Sequence, residues 1–369
     1  MKLPFMVPTP ILACGADLKG AFALAKGGTA FLYEGFGDLS DLGNFERYES
    51  AVRKAIKTTG IKPTVIAHDM HPGYFSTRFA EDFAQKSQRA ALYAIQHHEA
   101  HIASCIVDND IKGRVIGVAF DGTGYGFDGN IWGGEFFVGS LLGFRRAAHL
   151  EYVAMPGADA AVREPWRMAE SYLYAATGKC NDPIIKKMID RKINTPFTSS
   201  AGRLFDAVAS RVLGRKKADF EAELPIALEK IAAIDHEGAY RYALKNGSPI
   251  SLCTAQIFKG VMADLKKSVD KAVVSAKFHN TIAAMISEAA SFLGKKGRIK
   301  NVVLSGGVFQ NKYLMGKASD LLKAKGFKVF IHSNVSTNDS GIPIGQIAIT
   351  NERVVHPTSH STLRWRSAS

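Results

Sequence analysis

The chain has 369 residues, of which 46% are hydrophobic and 22% charged, and its formal net charge is +13 at pH 7. This composition fits a globular protein with one large core or two joined subdomains, and it excludes the fibrous and intrinsically disordered classes. Cys14, Cys105, Cys180 and Cys253 lie too far apart for a CxxC metal motif or a dense disulfide framework, which favours the cytoplasm. Without a signal peptide or an apolar run of membrane-spanning length, we expect neither export nor a membrane partner.

The basic balance would indicate a nucleic-acid partner if the Lys and Arg residues were clustered. The densest runs, at 215–217 and 295–300, are short and flank helical patterns, where a solvated helix face is the commoner structure. The charge therefore decides little, and we do not expect a nucleic-acid partner.

The first third of the sequence has an α/β pattern. We predict strands in ILACG, GTAFLYEG, PTVIAHD and ALYAIQ, and a helix over Phe45 to Thr59. Next we predict a helix in HHEAHIASCIVDN and a strand in RVIGVAFDGTGYG that enters a glycine loop. A parallel strand and its crossover helix would follow naturally from this order.

The middle of the chain has mostly helical spacing, up to the run NVVLSGGVFQ. After this run the α/β pattern resumes with a helix over Tyr313 to Lys325, a strand in KVFIHS and a last helix after Gly341. We therefore predict two α/β lobes with a helical insertion and a C-terminal helix in the second lobe. The predicted bounds are 1–112 for the first lobe, 113–369 for the second and about 160–295 for the insertion.

Three glycine loops follow strand-like runs, at Gly15 in ACGADLKG, Gly122 in FDGTGYG and Gly306 in LSGGVFQN. Such loops let backbone N–H groups approach phosphates closely, although a glycine loop more often only turns the chain. None has the lysine of a P-loop or the spacing of a GxGxxG fingerprint. A nucleotide site would therefore need a different phosphate-binding architecture.

Two histidines in HHEAH could share one metal ion. Residues four apart are neighbours on a helix, so His97 and His101 would lie on one face, one turn apart. The alternative for an isolated HxxxH pair is a pair of capped or core histidines. Glu99 does not make this a zinc-protease helix, because that motif places the glutamate directly after the first of two histidines four apart.

Two carboxylates in predicted loops could complete such a site. Asp121 follows VIGVAF and precedes a glycine, where an aspartate either binds a cation or forms an Asx turn. Asp339 in STNDSGIPIG is either a ligand or the N-cap of the last helix. Two histidines and two aspartates suit iron, zinc or manganese, and the sequence does not choose among them.

Two further segments place charges on predicted helices. Arg163, Glu164 and Arg167 form either an anion site or an internal ion pair at a helix start. Asp206 in SSAGRLFDAVAS could accept hydrogen bonds from ribose hydroxyls, or it could be an ordinary solvated residue. The residues by themselves thus indicate a nucleotide-dependent metalloprotein.

Five strings resemble the C-terminal transferase domain of the HypF family of hydrogenase-maturation carbamoyltransferases: IQHHEAHIAS, AFDGTGYGFDGNIWGGEF, PGADAAVREPWRMAESY, SSAGRLFDAVAS and LSGGVFQNKYL. The resemblance runs from about Cys14 to Gln346. That domain is similar to the universal tRNA threonylcarbamoyladenosine synthase and to antibiotic O-carbamoyltransferases. It implies a duplicated α/β fold of the actin, sugar-kinase and Hsp70 type, which is ribonuclease H-like, with nucleotide between the lobes.

The resemblance also implies a set of site residues and cofactors. The implied cofactors are one divalent metal ion, iron or zinc, with magnesium as a further candidate, and ATP or AMP as carbamoyl-adenylate. The implied metal ligands are His97, His101, Asp121 and Asp339, with no catalytic side chain beyond them. The implied nucleotide contacts come from three loops and two polar side chains: Gly15, Lys19, Gly122, Thr123, Gly124, Gly306, Gly307, Asp206 and Asn311.

The activity implied by the resemblance is a carbamoyl transfer in hydrogenase maturation. Carbamoyl-adenylate, made from carbamoyl phosphate and ATP, would give its carbamoyl group to the C-terminal cysteine of a HypE-like acceptor, for the cyanide ligand of nickel–iron hydrogenase. The alternatives are a tRNA threonylcarbamoyl transferase subunit and a non-catalytic, nucleotide-binding paralogue.

This chain departs from the family pattern in three places. The acylphosphatase-like, zinc-finger and adenylate-forming domains that usually precede the transferase domain are absent here, so they act in trans or the chain is a piece of a longer protein. The string Phe220–Pro225 replaces a usual Glu-Gly-Gln-Ala string, which puts contacts of that region in doubt. HHEAH differs from a more histidine-rich version at Glu99, between the proposed ligands, so we expect metal binding to survive.

Overall fold

A computed structural model describes residues 1–87 and 90–357, which form two compact units. The predicted lobe boundary at residue 112 lies close to the first change of unit. The C-terminal helix differs from the prediction because it belongs to the first unit and not to the second lobe. The first unit contains 1–114, 139–145 and the chain from 331, and the second contains 115–138 and 146–330.

Strands and helices alternate in the first unit, as the α/β pattern predicts. Local signals set their ends: Asp41 caps the first helix by accepting the N–H of Asn44, and Gly60 ends it with a left-handed φ of 68°. The elements are β1 (Lys2–Ala13), β2 (Phe22–Tyr33), α1 (Leu42–Thr59), β3 (Val65–Asp69), α2 (Phe75–Lys86), β4 (Ala91–Ile95) and α3 (His97–Asp108).

The sheet of the first unit has the order β2-β1-β3-β4. β2 is antiparallel to β1, while β3 and β4 run parallel to it. Alternate residues of β1 enter opposite cores, because side chains alternate across a strand. Ile11 packs with α3 and the C-terminal helix on one face, and Leu12 packs with Tyr48 and Phe79 on the other. The sheet is therefore covered by helices on both faces.

The second unit has a longer sheet and most of the helices. Its first elements are β5 (Val115–Tyr125), β6 (Ile131–Ser140), β7 (Gly143–Leu150), β8 (Val153–Ala154), α4 (Ala160–Arg163), α5 (Trp166–Thr177), α6 (Pro183–Arg191), β9 (Phe197–Thr198) and α7 (Ala201–Leu213). The later elements are α8 (Glu223–Lys230), β10 (Ala243–Lys245), β11 (Ile250–Cys253), α9 (Ala255–Lys266), α10 (Lys271–Gly297), β12 (Asn301–Ser305), α11 (Lys312–Ala324) and β13 (Lys328–Phe330). The last helix of the chain, α12 (Ile342–Val355), belongs to the first unit.

The main path of the second sheet is β10-β11-β7-β6-β5-β12-β13. β12 runs parallel to β5, and β13 runs parallel to β12. In both sheets the first strand of the unit lies between the following strand and a later, parallel strand. This shared order agrees with the predicted duplicated α/β fold. A core of buried aliphatic and aromatic residues, including Phe120, Phe205 and Phe278, joins the second sheet to its helices.

The sequence patterns missed or misplaced several strands. β6 and β7 were not predicted, because glycines at 133, 134, 139 and 143 interrupt their alternation. Two short strands, β10 and β11, lie within the predicted helical insertion, where β11 pairs with β7. The FDGTGYG segment is not a loop, since β5 continues through Gly122, Thr123 and Gly124 to Tyr125. Within residues 1–87 and 90–357, none of the helices combines the length and apolar character needed to cross a bilayer.

Candidate metal centre and nucleotide loops

The start of α3 presents His97 and His101 side by side. Gln96 caps the helix, because its side-chain oxygen accepts the N–H groups of His98 and Glu99. Both histidines are fully buried, and their ring centroids are 5.0 Å apart. The predicted helix is therefore confirmed, and its i, i+4 spacing brings the two imidazoles together.

Asp339 lies next to the same two rings. Its Oδ1 is 3.4 Å from Nε2 of His101 and 3.7 Å from Nε2 of His97. The alternative role as a helix cap is not observed, since Gly341 precedes α12 without a side-chain cap and Asn338 accepts the N–H of Ser340. One ligand atom from each of His97, His101 and Asp339 lies within 4.8 Å of the others.

Close packing between α3 and α12 sets the position of Asp339. A Cβ on Gly345 would lie 1.9 Å from the carbonyl oxygen of Ala100, so α12 crosses α3 where only glycine fits. The last turn of α3 also holds the chain that leads to Asp339. Asp108 accepts the N–H groups of Ser333 and Asn334. Two contacts with α3, the helix that carries the histidines, therefore position the Asp339 carboxylate.

Asp69 contacts one of the predicted metal ligands, and the sequence analysis did not identify it. Its Oδ2 is 2.8 Å from Nδ1 of His97, and its Oδ1 accepts the N–H of His71 at 2.8 Å. β3 and β4 are parallel with Asp69 opposite Ile95, so the end of β3 faces the start of α3. An aspartate at the end of the strand PTVIAHD, beside a parallel strand that leads into HHEAH, was the signal that could have identified it.

The three side chains fit a divalent metal of the iron or zinc type. A buried imidazole whose Nδ1–H is held by a carboxylate has Nε2 as its ligand atom, and this carboxylate–histidine arrangement is typical of metal sites. Two imidazoles and a carboxylate form a common borderline donor set. The first unit therefore carries three of the four predicted ligands in one group.

The fourth predicted ligand, Asp121, lies in β5 of the second unit. Its Oδ1 accepts the N–H of Gly307 at 3.0 Å, and its backbone carbonyl accepts the Ser200 hydroxyl at 2.8 Å. The contact to Gly307 spans 186 residues and joins β5 to the segment that follows β12, so no Asx turn is needed to explain the residue. Its role as a metal ligand stays a prediction.

The glycines near β5 and β12 have steric reasons to be there. Gly306 has a φ of 103°, and a Cβ on it would lie 2.3 Å from the carbonyl oxygen of Phe120. A Cβ on Gly202 would lie 2.9 Å from Cα of Gly122. β5 therefore approaches both α7 and the segment after β12 too closely for side chains at these positions. This packing does not decide whether Gly122, Gly306 and Gly307 also contact phosphate, which stays a prediction.

Residues of the loop from Gly15 to Lys19 form hydrogen bonds with other parts of the first unit. The N–H of Gly15 donates to the side chain of Gln346 at 2.8 Å, and the same amide donates back to the Gly15 carbonyl. Asp17 accepts the N–H groups of Phe75 and Ser76 at the start of α2. The Gly15 N–H thus has a protein acceptor, and the predicted phosphate contact of Gly15 and Lys19 stays open.

The charged residues on the helices form internal pairs. Asp206 and Arg203 are both buried and join at 2.8 Å, so the interpretation of Asp206 as a solvated residue is wrong. Burial raises the pKa of Asp206, and the nearby Arg203 guanidinium partly offsets this. Glu164 and Arg167 form the internal ion pair that was one of the two interpretations of that segment. The ribose contact of Asp206 stays a prediction.

The segment that departs from the family pattern contains a strained residue. Ala222 precedes α8 with φ 61° and ψ 13°, a left-handed conformation that L-residues with a Cβ adopt at a cost. A glycine at this position would adopt the same conformation without that cost.

Two family models match successive parts of the chain. One, described as the HypF Kae1-like domain, matches residues 7–108, and the other, described as the carbamoyltransferase Kae1-like domain, second subdomain, matches residues 117–346. The chain belongs to the HypF carbamoyltransferase family. The resemblance found in the sequence is thus confirmed.

Curated relatives of different length share this HypF-type region. A carbamoyltransferase HypF homolog of Cupriavidus necator is 33% identical over 359 residues, covering 91% of this chain and 90% of the relative. Carbamoyltransferase HypF of Synechocystis is 29% identical over 378 residues, covering 93% of this chain and 48% of the relative. The chain thus spans nearly all of the first relative and about half of the second.

Solved HypF structures confirm the predicted α/β fold. Full-length HypF in a phosphate- and nucleotide-bound form matches with a TM-score of 0.89 and 38% identity, over 96% of this chain and 57% of that one. HypF of T. kodakarensis matches with a TM-score of 0.85 and 26% identity, over 96% of this chain and 49% of that one. Both comparisons span nearly all of this chain, helical insertion included.

Proposed function

We propose that this protein transfers a carbamoyl group from carbamoyl-adenylate to the C-terminal cysteine of a HypE-like acceptor, in the maturation of nickel–iron hydrogenase. The observation that carries the proposal is the buried group of His97, His101 and Asp339 in a chain of the HypF family. The product thiocarbamate is the precursor of the cyanide ligand. The cytoplasm is the proposed compartment, and the four free cysteines support it.

The metal in this proposal is one iron or zinc ion. His97, His101 and Asp339 bind it, and Asp121 is the proposed fourth ligand. A divalent ion held by such a donor set polarises a carbonyl oxygen and stabilises negative charge that develops on it. Asp69 has a separate task, since its carboxylate fixes the tautomer and orientation of His97. With two anionic carboxylates and two neutral imidazoles, the divalent ion and its four proposed ligands would carry no net charge.

The proposed nucleotide site lies on the loops and polar side chains inferred from the sequence. The solved relative described as phosphate- and nucleotide-bound supports it, because this chain matches that structure over 96% of its length. We assign the phosphates to the segments at Gly15 to Lys19, Gly122 to Gly124 and Gly306 to Gly307. We assign the ribose to Asp206 and a further contact to Asn311. Magnesium would accompany ATP if the adenylation step occurred in this chain. We propose instead that a separate adenylate-forming domain supplies carbamoyl-adenylate in trans.

The nucleophile of the reaction comes from the acceptor and not from this chain. The thiol sulfur attacks the carbamoyl carbon, the bond from that carbon to the AMP phosphate oxygen breaks, and the thiol proton passes to solvent. A thiolate is the reactive form of cysteine, and burial works against it in all four cysteines of this chain. Burial raises the pKa of Cys14 to about 12 and also raises the pKa of Cys105, Cys180 and Cys253.

Mass spectrometry of the acceptor tests the proposal. The chain is mixed with carbamoyl-adenylate and the HypE-like protein, and the matched control is an acceptor whose terminal cysteine is replaced by serine. We expect the mass of one carbamoyl group on the wild-type acceptor and none on the control. An unmodified acceptor would leave the non-catalytic paralogue as the better account, and tight, salt-sensitive binding of tRNA would favour the tRNA-modifying alternative.

A further inference from the structure

Asn311, a proposed nucleotide contact, is held in one orientation by two neighbours. Its side-chain oxygen accepts the N–H of Leu314 at 2.8 Å and so caps α11. The oxygen is thereby identified, and the amide nitrogen must point the other way. That nitrogen lies 2.9 Å from Nε2 of His279.

His279 has its protonation pattern set by a second contact. The ring is fully buried on α10, and its Nδ1 is 2.8 Å from the backbone carbonyl of Ser275. A carbonyl only accepts, so Nδ1 carries the hydrogen and Nε2 is the acceptor for the Asn311 amide. Phe205 and Tyr313 pack against the ring with centroids 5.4 and 5.1 Å away, which holds its plane.

The N-terminus of α11 is occupied by a carboxylate. Glu229, on α8, accepts the N–H of Lys312 at 2.7 Å and that of Tyr313 at 3.2 Å. Helix N-termini commonly bind phosphate through these N–H groups, but here a negative charge already takes them. A phosphate beside Asn311 would be repelled, whereas an uncharged nucleoside would not.

We propose that His279 is a positioning residue for nucleoside recognition. By accepting one amide hydrogen of Asn311, it directs the other toward an acceptor on the nucleoside part of a bound nucleotide. Asn311 is partly exposed, and within residues 1–87 and 90–357 this second hydrogen has no protein acceptor. The inference rests on the proposed nucleotide site and adds to it a residue that touches no ligand.

Calorimetric binding of adenosine, AMP and inorganic phosphate tests the inference. Loss of one hydrogen bond lowers affinity by about tenfold, so Asn311→Ala and His279→Leu should each weaken the binding of adenosine and AMP by about tenfold. The affinity for phosphate should not change. His279→Gln keeps a donor and an acceptor on the side chain and should restore most of the loss. The double variant should bind no more weakly than either single variant, because both remove one interaction.

The outcomes separate this inference from the function on which it rests. If wild-type chain binds neither adenosine nor AMP, the nucleotide site fails, and the inference with it. If Asn311→Ala weakens binding but His279→Leu does not, the inference alone is overturned, as it is if Asn311→Ala has no effect. Should His279→Leu not fold, long-range ¹H–¹⁵N spectra of the histidine-labelled wild-type chain decide, since Nε2-protonated His279 contradicts the arrangement.

Discussion

Asp69 Oδ2 lies 2.8 Å from Nδ1 of His97, and both side chains are buried. The contact joins the end of β3 to the first turn of α3. It fixes which nitrogen of His97 faces Asp339. A carboxylate in this position raises the basicity of the imidazole as well as orienting it.

Asp69→Asn should lower metal affinity while the chain stays folded. The amide has the shape of the carboxylate but lacks its charge, and loss of such an outer partner typically costs about 10- to 100-fold in affinity. Competition with a chelator measures the change. Asp41→Asn is the matched control, because Asp41 caps the exposed start of α1. Equal metal affinity in Asp69→Asn and wild type would show that Asp69 has no role in the site.

Two glycine-to-alanine substitutions in helices should have opposite effects on stability, because only Gly345 lies where α12 crosses α3. Gly345→Ala places a methyl group against the Ala100 carbonyl and should cost about 3 kcal/mol or more of unfolding free energy. Gly316→Ala, in α11, meets nothing within 4 Å and should stabilise by about 0.5 to 1 kcal/mol. Denaturant unfolding measures both. A neutral Gly345→Ala would mean that α12 can shift away from α3 without loss.

Relief of strain at Ala222 should stabilise the chain. Ala222→Gly removes a left-handed conformation that is costly with a Cβ, so we expect a gain of roughly 0.5 to 1 kcal/mol. Ala227→Gly, inside α8, should lose a similar amount, since glycine is a poor helix former. Thermal unfolding of the two variants makes the comparison, and a loss in both would argue against strain at position 222.

His279 should make stability depend on pH below neutrality. Burial lowers its pKa from 6.5 to about 4, so between these values the unfolded chain binds a proton that the folded chain does not. The unfolding free energy therefore rises with pH across this window, by up to about 1.4 kcal/mol per pH unit. As pH falls through the same window, the unfolding free energy decreases by the same amount. The wild-type slope minus that of His279→Leu isolates this contribution. Parallel slopes would show that His279 titrates normally.

Local periodicity explains which parts of the site were predictable. His97 and His101 could be paired from sequence because their proximity depends only on the helix repeat, and Asp339 and Asp121 stood out as carboxylates in predicted loops. Asp69 could not, because its contact with His97 depends on the parallel pairing of β3 with β4. The same limit applies to Gly345. Its importance comes from close packing against Ala100 in α3, which lies 245 positions earlier in the sequence.

Metal binding by His97 and His101 is the central feature of the proposed function. Elemental analysis of purified wild type and of the double variant His97→Ala, His101→Ala tests it, with circular dichroism to confirm the fold. His279→Leu, which removes a buried imidazole from the second unit, is the control and should keep its metal. We expect one equivalent of iron or zinc in wild type and none in the double variant. A folded double variant that retains its metal would contradict the account.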